Sequence, residues 1–230
     1  MVDQSLKPFE VYLELGKKRT FAAAIDWPGW CRGGSDERSA LQALFVNAPR
    51  YARVLNPTQL GFQMPVQVGQ FTVVERLIGN STTDFGAPDI APARDARPVD
   101  DGELEHFRKL LRACWQAFDE AASRAGRKTL RLGPRGGGRD MVGIIRHVLG
   151  AEQAYLGKLG GKLKKDSPAN LRTQFDQTRQ TILDTLAAAS HGEIEARGPR
   201  GGQRWSPRYA VRRLAWHVLD HAWEIEERIQ

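Results

Sequence analysis

The spacing of apolar residues changes character near residue 80, and that change limits the folds open to the chain. Before it, FEVYLELG at 9–16 and RTFAAAIDW at 19–27 alternate or cluster apolar residues over strand lengths, with Gly16-Lys17-Lys18 as the turn between them. Apolar residues at Ala40, Leu41, Leu44, Phe45, Ala48, Tyr51, Ala52 and Leu55 then follow helical spacing, with Ser35 as the expected N-cap and Pro49 as a kink or short break. QFTVVERLI at 70–78 reads as a further strand. Beyond it, residues 79–97 shift to Gly, Pro, Thr, Asp and Ala, the composition of a linker. From Asp100 or Asp101, either of which can cap a helix, apolar residues recur every three or four positions in segments at 101–125, 139–160, 167–190 and 206–229. The expected architecture is therefore α+β: a small β-β-α-β domain at 1–80, a linker at 81–100 and a four-helix bundle at 101–230.

Charge follows the same division. Residues 1–95 hold equal numbers of basic and acidic side chains, so the formal excess of +7 belongs to the remainder. A basic excess points to nucleic acid or to an anionic substrate. Here the arginines gather in loops ahead of helices instead of forming a Lys/Arg stripe with interleaved aromatics, which favours a small anion over a nucleic-acid track. No run is apolar and long enough for a membrane span, and the N-terminus lacks the basic and apolar regions of a leader, so a cytoplasmic protein is expected. Cys31 and Cys114 fall in different expected domains and form no CxxC, which suits a reducing compartment. Cys31 follows a turn and is expected to be partly exposed. An exposed hairpin edge in the first domain makes homodimerisation an expectation.

Three of the five histidines lie on two of the expected bundle helices: His147 in IIRHVLGAEQAYL, and His217 and His221 in WHVLDHAWEIEERI. Side chains at i and i+4 share a helix face, so His217 and His221 can converge on one ion while His147 arrives from a neighbouring helix, leaving positions open for water or substrate. The same spacing also suits histidines hydrogen-bonded in or beside an apolar core. His106 and His191 read as surface residues. Glu224 and Asp220 lie three residues after His221 and His217, where a carboxylate can orient a ligand imidazole, accept a proton in catalysis, or simply form a surface ion pair. The segments GPRGGGR at 133–139 and GPRGGQR at 198–204 agree at six of seven positions, and each precedes a histidine-bearing helix. Arg135, Arg139, Arg200 and Arg204 are thus candidates for substrate binding near helix N-termini, or decorations of two glycine-rich turns. Neither segment is a P-loop, since no Gly-Lys-Ser/Thr follows the glycines.

HVLGAEQAYL and RRLAWHVLDHAWEIEERI resemble the DinB-like four-helix bundles over about residues 100–230. The resemblance implies a divalent-metal site held by one histidine of the second helix and an HxxxH pair of the last, positions occupied here by His147, His217 and His221. Thiol S-transferases, an isomerase dependent on a low-molecular-weight thiol and hydrolase-like proteins share that fold, so it does not name the reaction. It implies a metal-dependent transferase or hydrolase acting on a small anionic or thiol substrate, with Zn, Ni, Fe or Mn as the ion. Residues 8–78, with AIDWPGWCRGGSDERSALQAL, are similar to HicB-like domains. That similarity implies a dimerisation or ligand-sensing domain, or one that covers the mouth of the bundle; the alternative function is a non-catalytic regulatory or stress-related binding protein whose first domain mediates dimerisation or partner binding.

Overall fold

The computed structural model describes residues 8–126, 128–132, 138–163 and 170–230. The chain forms two compact units, Met1–Ala96 and Arg97–Gln230, and its class is α+β, with a sheet domain followed by a helical one.

In the first unit, strands β1 (Phe9–Leu15), β2 (Thr20–Ala24), β3 (Cys31–Gly34) and β4 (Phe71–Ile78) form one sheet in the order β3-β2-β1-β4. β2 runs antiparallel to both β1 and β3, whereas β4 lies parallel to β1 after the crossover through helix α1 (Glu37–Leu55). The sequence reading lacked β3 and extended β2 to Trp27. Instead the chain reverses at Trp27–Trp30, where the Trp30 N–H donates to the Trp27 carbonyl and Gly29 takes a positive φ of 93°, a conformation that glycine adopts without steric penalty. The reversal lays Cys31–Gly34 alongside β2. Cys31 is consequently buried, not partly exposed.

The N-cap of α1 is Asp36, one residue after the expected Ser35. Its carboxylate accepts from the Ser39 N–H at 2.7 Å, and its own N–H donates to Ser39 Oγ at 3.0 Å, so serine completes a reciprocal cap. The helix runs on through Pro49. Between helix and sheet the core gathers around Trp30, whose ring stacks on Tyr51 and whose indole N–H donates to the Leu44 carbonyl. Tyr51 in turn donates to the Pro28 carbonyl at 2.8 Å. Both large rings bury their apolar bodies with their polar atoms satisfied.

Residues 81–96 are ordered against this unit, where a linker was expected. Helix α2 (Ser81–Phe85) begins the segment, and the fully buried Glu14 of β1 organises it: the carboxylate accepts from the Thr83 hydroxyl and from the backbone N–H groups of Asp89 and Ile90. Glu75 accepts from the Ala93 N–H, and Arg94 pairs with Glu10 and Asp26. A loop composition thus folds because two strand carboxylates receive its backbone donors.

The second unit comprises helices α3 (Asp101–Ala125), α4 (Met141–Leu159), α5 (Leu171–Ser190) and α6 (Pro207–Arg228). Each starts on a side-chain cap, Asp100, Asp140, Asn170 and Ser206, accepting the N–H three residues on. The expected first residues of the third segment, 167–169, lie outside the described residues. α3 packs along α6, and α4 packs against both α5 and α6, so α4 and α6 share an inner face. α6 is buried along most of its length. Its end is fastened by the Arg131 N–H, which donates to the Arg228 carbonyl at 2.7 Å.

Candidate metal centre

On α6, His217 and His221 are separated by one turn and are only 7% and 9% exposed; His147 faces them from α4 and is half-buried. One ring nitrogen from each of the three lies within 4.8 Å of the other two. Nε2 of His147 and Nε2 of His217 stand 3.1 Å apart, and the ring centroids of the three pairs are separated by 4.6–5.0 Å.

The hydrogen bonds around the cluster fix which atoms point inward. His221 Nδ1 lies 2.7 Å from Glu224 Oε2, and Arg228 binds the other Glu224 oxygen. The Glu224 carboxyl is held below the usual carboxylate range by the hydrogen bond from His221, with the Arg228 guanidinium adding to the effect. An ionised carboxylate only accepts, so the proton of neutral His221 resides on Nδ1 and its Nε2 lone pair is left for the cluster. Arg228 is braced in turn: Nε donates to the Arg131 carbonyl and Nη2 to the Arg139 carbonyl, both at 2.8 Å.

Burial pushes the His217 imidazole well below its ordinary value, and the neighbouring His221, His147, Arg213 and Arg139 act in the same direction. His147 is also lowered, chiefly by burial and then by His221 and Arg139. These rings are therefore neutral at pH 7, the state in which imidazole donates a lone pair to a metal.

The residues fit a divalent ion. In a four-coordinate site with nitrogens about 2.0–2.1 Å from the metal, neighbouring nitrogens stand roughly 3.3 Å apart. The His147–His217 separation already matches this, and the wider pairs, all within 4.8 Å, need to close by at most about 1.5 Å. Two neutral Nε2 atoms at 3.1 Å can otherwise coexist only by sharing a proton. The set is three nitrogen donors, with a carboxylate fixing one ring from behind.

The other expected site residues are distributed unevenly. Glu224 is the carboxylate brought against an imidazole, while Asp220 is half-buried on the same helix. Arg139 is exposed at the head of α4 and close enough to lower both His147 and His217. Arg200 is exposed in a turn in which the Gly198 N–H donates to the Gly202 carbonyl. Arg204 donates to the Glu195 carbonyl at 2.8 Å and lies against Gly160, an arrangement that braces its own loop. Arg135 lies outside the described residues. His191 is exposed and pairs with Asp101, and His106 packs edge-on against Phe107.

Two neighbours of the centre were not singled out from sequence. Tyr155 packs edge-on against His217 with centroids 5.7 Å apart, and Arg213 donates to its hydroxyl. Arg213 lies four residues before His217 and Tyr155 eight after His147, so the i±4 rule that paired the histidines also marks these two.

Among known proteins, the family model of the DinB superfamily matches residues 110–225, half of the chain and the part that carries all three histidines. No curated protein and no solved structure matches.

Proposed function

Because the chain belongs to the DinB superfamily, whose members typically bind metal, we propose that it is a metal-dependent enzyme, of thiol S-transferase or hydrolase type, acting on a small anionic or thiol substrate. His147, His217 and His221 hold the ion, which is Zn, Ni, Fe or Mn. The observation that carries this reading is the convergence of three imidazoles from two helices, one of them oriented by an ionised carboxylate. An ion held by three protein nitrogens keeps a position open, where it lowers the pKa of a bound water or thiol.

The chain's own residues supply the rest. Glu224 keeps His221 in the tautomer that presents Nε2, and Arg228 keeps Glu224 ionised and in place. Burial pushes the His217 imidazole well below its ordinary value, which favours the neutral form that donates to a metal. Arg139 adds positive charge at the half-exposed, His147 side of the cluster, which favours approach of an anion.

The test is a screen of thiol-transfer and ester- or amide-hydrolysis substrates with metal-loaded protein, with His221→Ala as control. Turnover present in the wild type and lost in the variant supports the proposal. Equal turnover in the two overturns it.

A further inference from the structure

Arg213 is 6% exposed, yet it meets no carboxylate among the described residues. By contrast, Arg179 binds Asp119, Arg208 binds Glu103 and Arg228 binds Glu224. Among the described residues Arg213 has one hydrogen bond, from Nη2 to the Tyr155 hydroxyl at 3.3 Å, while Nε and Nη1 have no partner. Its guanidinium lies against two aromatic rings, 4.9 Å from the centroid of Trp216 and 5.6 Å from that of Tyr155. Ring faces stabilise a cation without using its N–H donors. A desolvated guanidinium with unused donors is costly unless an anion completes it.

The position gives that anion a role. Arg213 precedes His217 by one turn on the inner face of α6, and Tyr155, which its Nη2 reaches, also packs on the His217 ring. Trp205 packs on Tyr155 with ring centroids 5.0 Å apart. Half-buried Tyr155 therefore borders both the three-histidine cluster and the guanidinium.

From this juxtaposition we infer that Arg213, with Tyr155, forms the binding site for a carboxylate on the ligand that the three-histidine centre engages. The inference rests on the proposed metal centre and narrows its substrate class to carboxylate-bearing small molecules, a thiol acid among them. The planar fork of a guanidinium matches a carboxylate through two parallel N–H groups. Arg213 keeps that capacity because Tyr155 occupies only one of its hydrogens. It differs in kind from the exposed loop arginines, whose charge attracts an anion but does not fix its orientation.

The test is calorimetric titration of 3-mercaptopropionate and of the neutral 2-mercaptoethanol into the full chain, both metal-free and cobalt-loaded. The carboxylate-bearing thiol is expected to bind about tenfold to a hundredfold tighter than the neutral one, the range for a hydrogen-bonded charge pair. Arg213→Gln should reduce that preference to less than about threefold while leaving cobalt content and 2-mercaptoethanol binding unchanged. Arg213→Lys, which keeps the charge without the fork, should retain part of it. Equal binding of the two thiols by wild type overturns the inference, as does a preference that survives in Arg213→Gln and Arg213→Lys while only their melting temperature falls, the result of a purely structural arginine. If wild type takes up no cobalt, the metal reading fails, and the preference measured on the metal-free chain decides the role of Arg213 by itself. No measurable binding of either thiol to either form also overturns it.

Discussion

Replacing Glu152 with glutamine should make the second unit more stable at alkaline pH and leave it nearly unchanged in acid. Glu152 is fully buried on α4, with its carboxyl 3.4 Å from Arg179 Nε. Arg179 is already engaged by Asp119, through two hydrogen bonds of 2.8 and 3.0 Å. Ionising Glu152 therefore places a second negative charge beside one guanidinium, inside the bundle. Burial pushes its carboxyl up from 4.5 to about 7; Arg179 opposes the shift and Asp119 adds to it. A carboxyl whose folded pKa is raised binds more protons in the folded state between those two values, so stability is greatest below about pH 4.5 and falls as pH rises to about 7 and just beyond. The difference of about 2.5 pKa units corresponds to about 3 kcal/mol, which for a unit of this size is roughly 10 °C in melting temperature. Urea unfolding of wild type and Glu152→Gln, followed by tryptophan fluorescence from pH 4.5 to 8.5, isolates the contribution. The variant should gain on wild type by up to about 3 kcal/mol at the alkaline end. A difference between the two proteins that does not vary with pH would refute the reasoning.

Two further outcomes follow from the same contacts. Glu224→Ala frees the His221 tautomer and leaves Arg228 without its carboxylate, so metal affinity, measured by competition with a chromophoric chelator, should fall about 10- to 100-fold. Glu14→Ala leaves the Asp89 and Ile90 N–H groups and the Thr83 hydroxyl without their acceptor; it should destabilise the first unit by roughly 2–4 kcal/mol and open residues 81–90 to limited proteolysis before the rest of that unit.

The histidine cluster was legible because its signal is local. HxxxH fixes two imidazoles on one face whatever the surrounding fold, and the apolar spacing around His147 places a third helix position against them. Of the bundle caps only the first was legible, as one of the adjacent candidates Asp100 and Asp101. β3 was not legible, since CRGG has no strand preference of its own and pairs with β2 only because Trp27–Trp30 turns the chain back. Nor was the ordering of residues 81–96. Alternation along FEVYLEL assigns Glu14 to a solvent face, and nothing in the sequence shows that backbone donors from seventy residues on will cover it. The four repeated-loop arginines stand out by their motif, whereas Arg213, the guanidinium proposed to take the ligand carboxylate, lies within a helix, where its burial depends on tertiary packing.

Elemental analysis of untagged wild type beside His217→Ala bears most directly on the central claim. His217 is the most buried of the three imidazoles, and its Nε2 already stands 3.1 Å from that of His147. The account predicts about one equivalent of a divalent transition metal per wild-type chain and little in the variant, as expected when one of three ligands is lost. No metal in either protein after reconstitution, or equal metal in both, would contradict it.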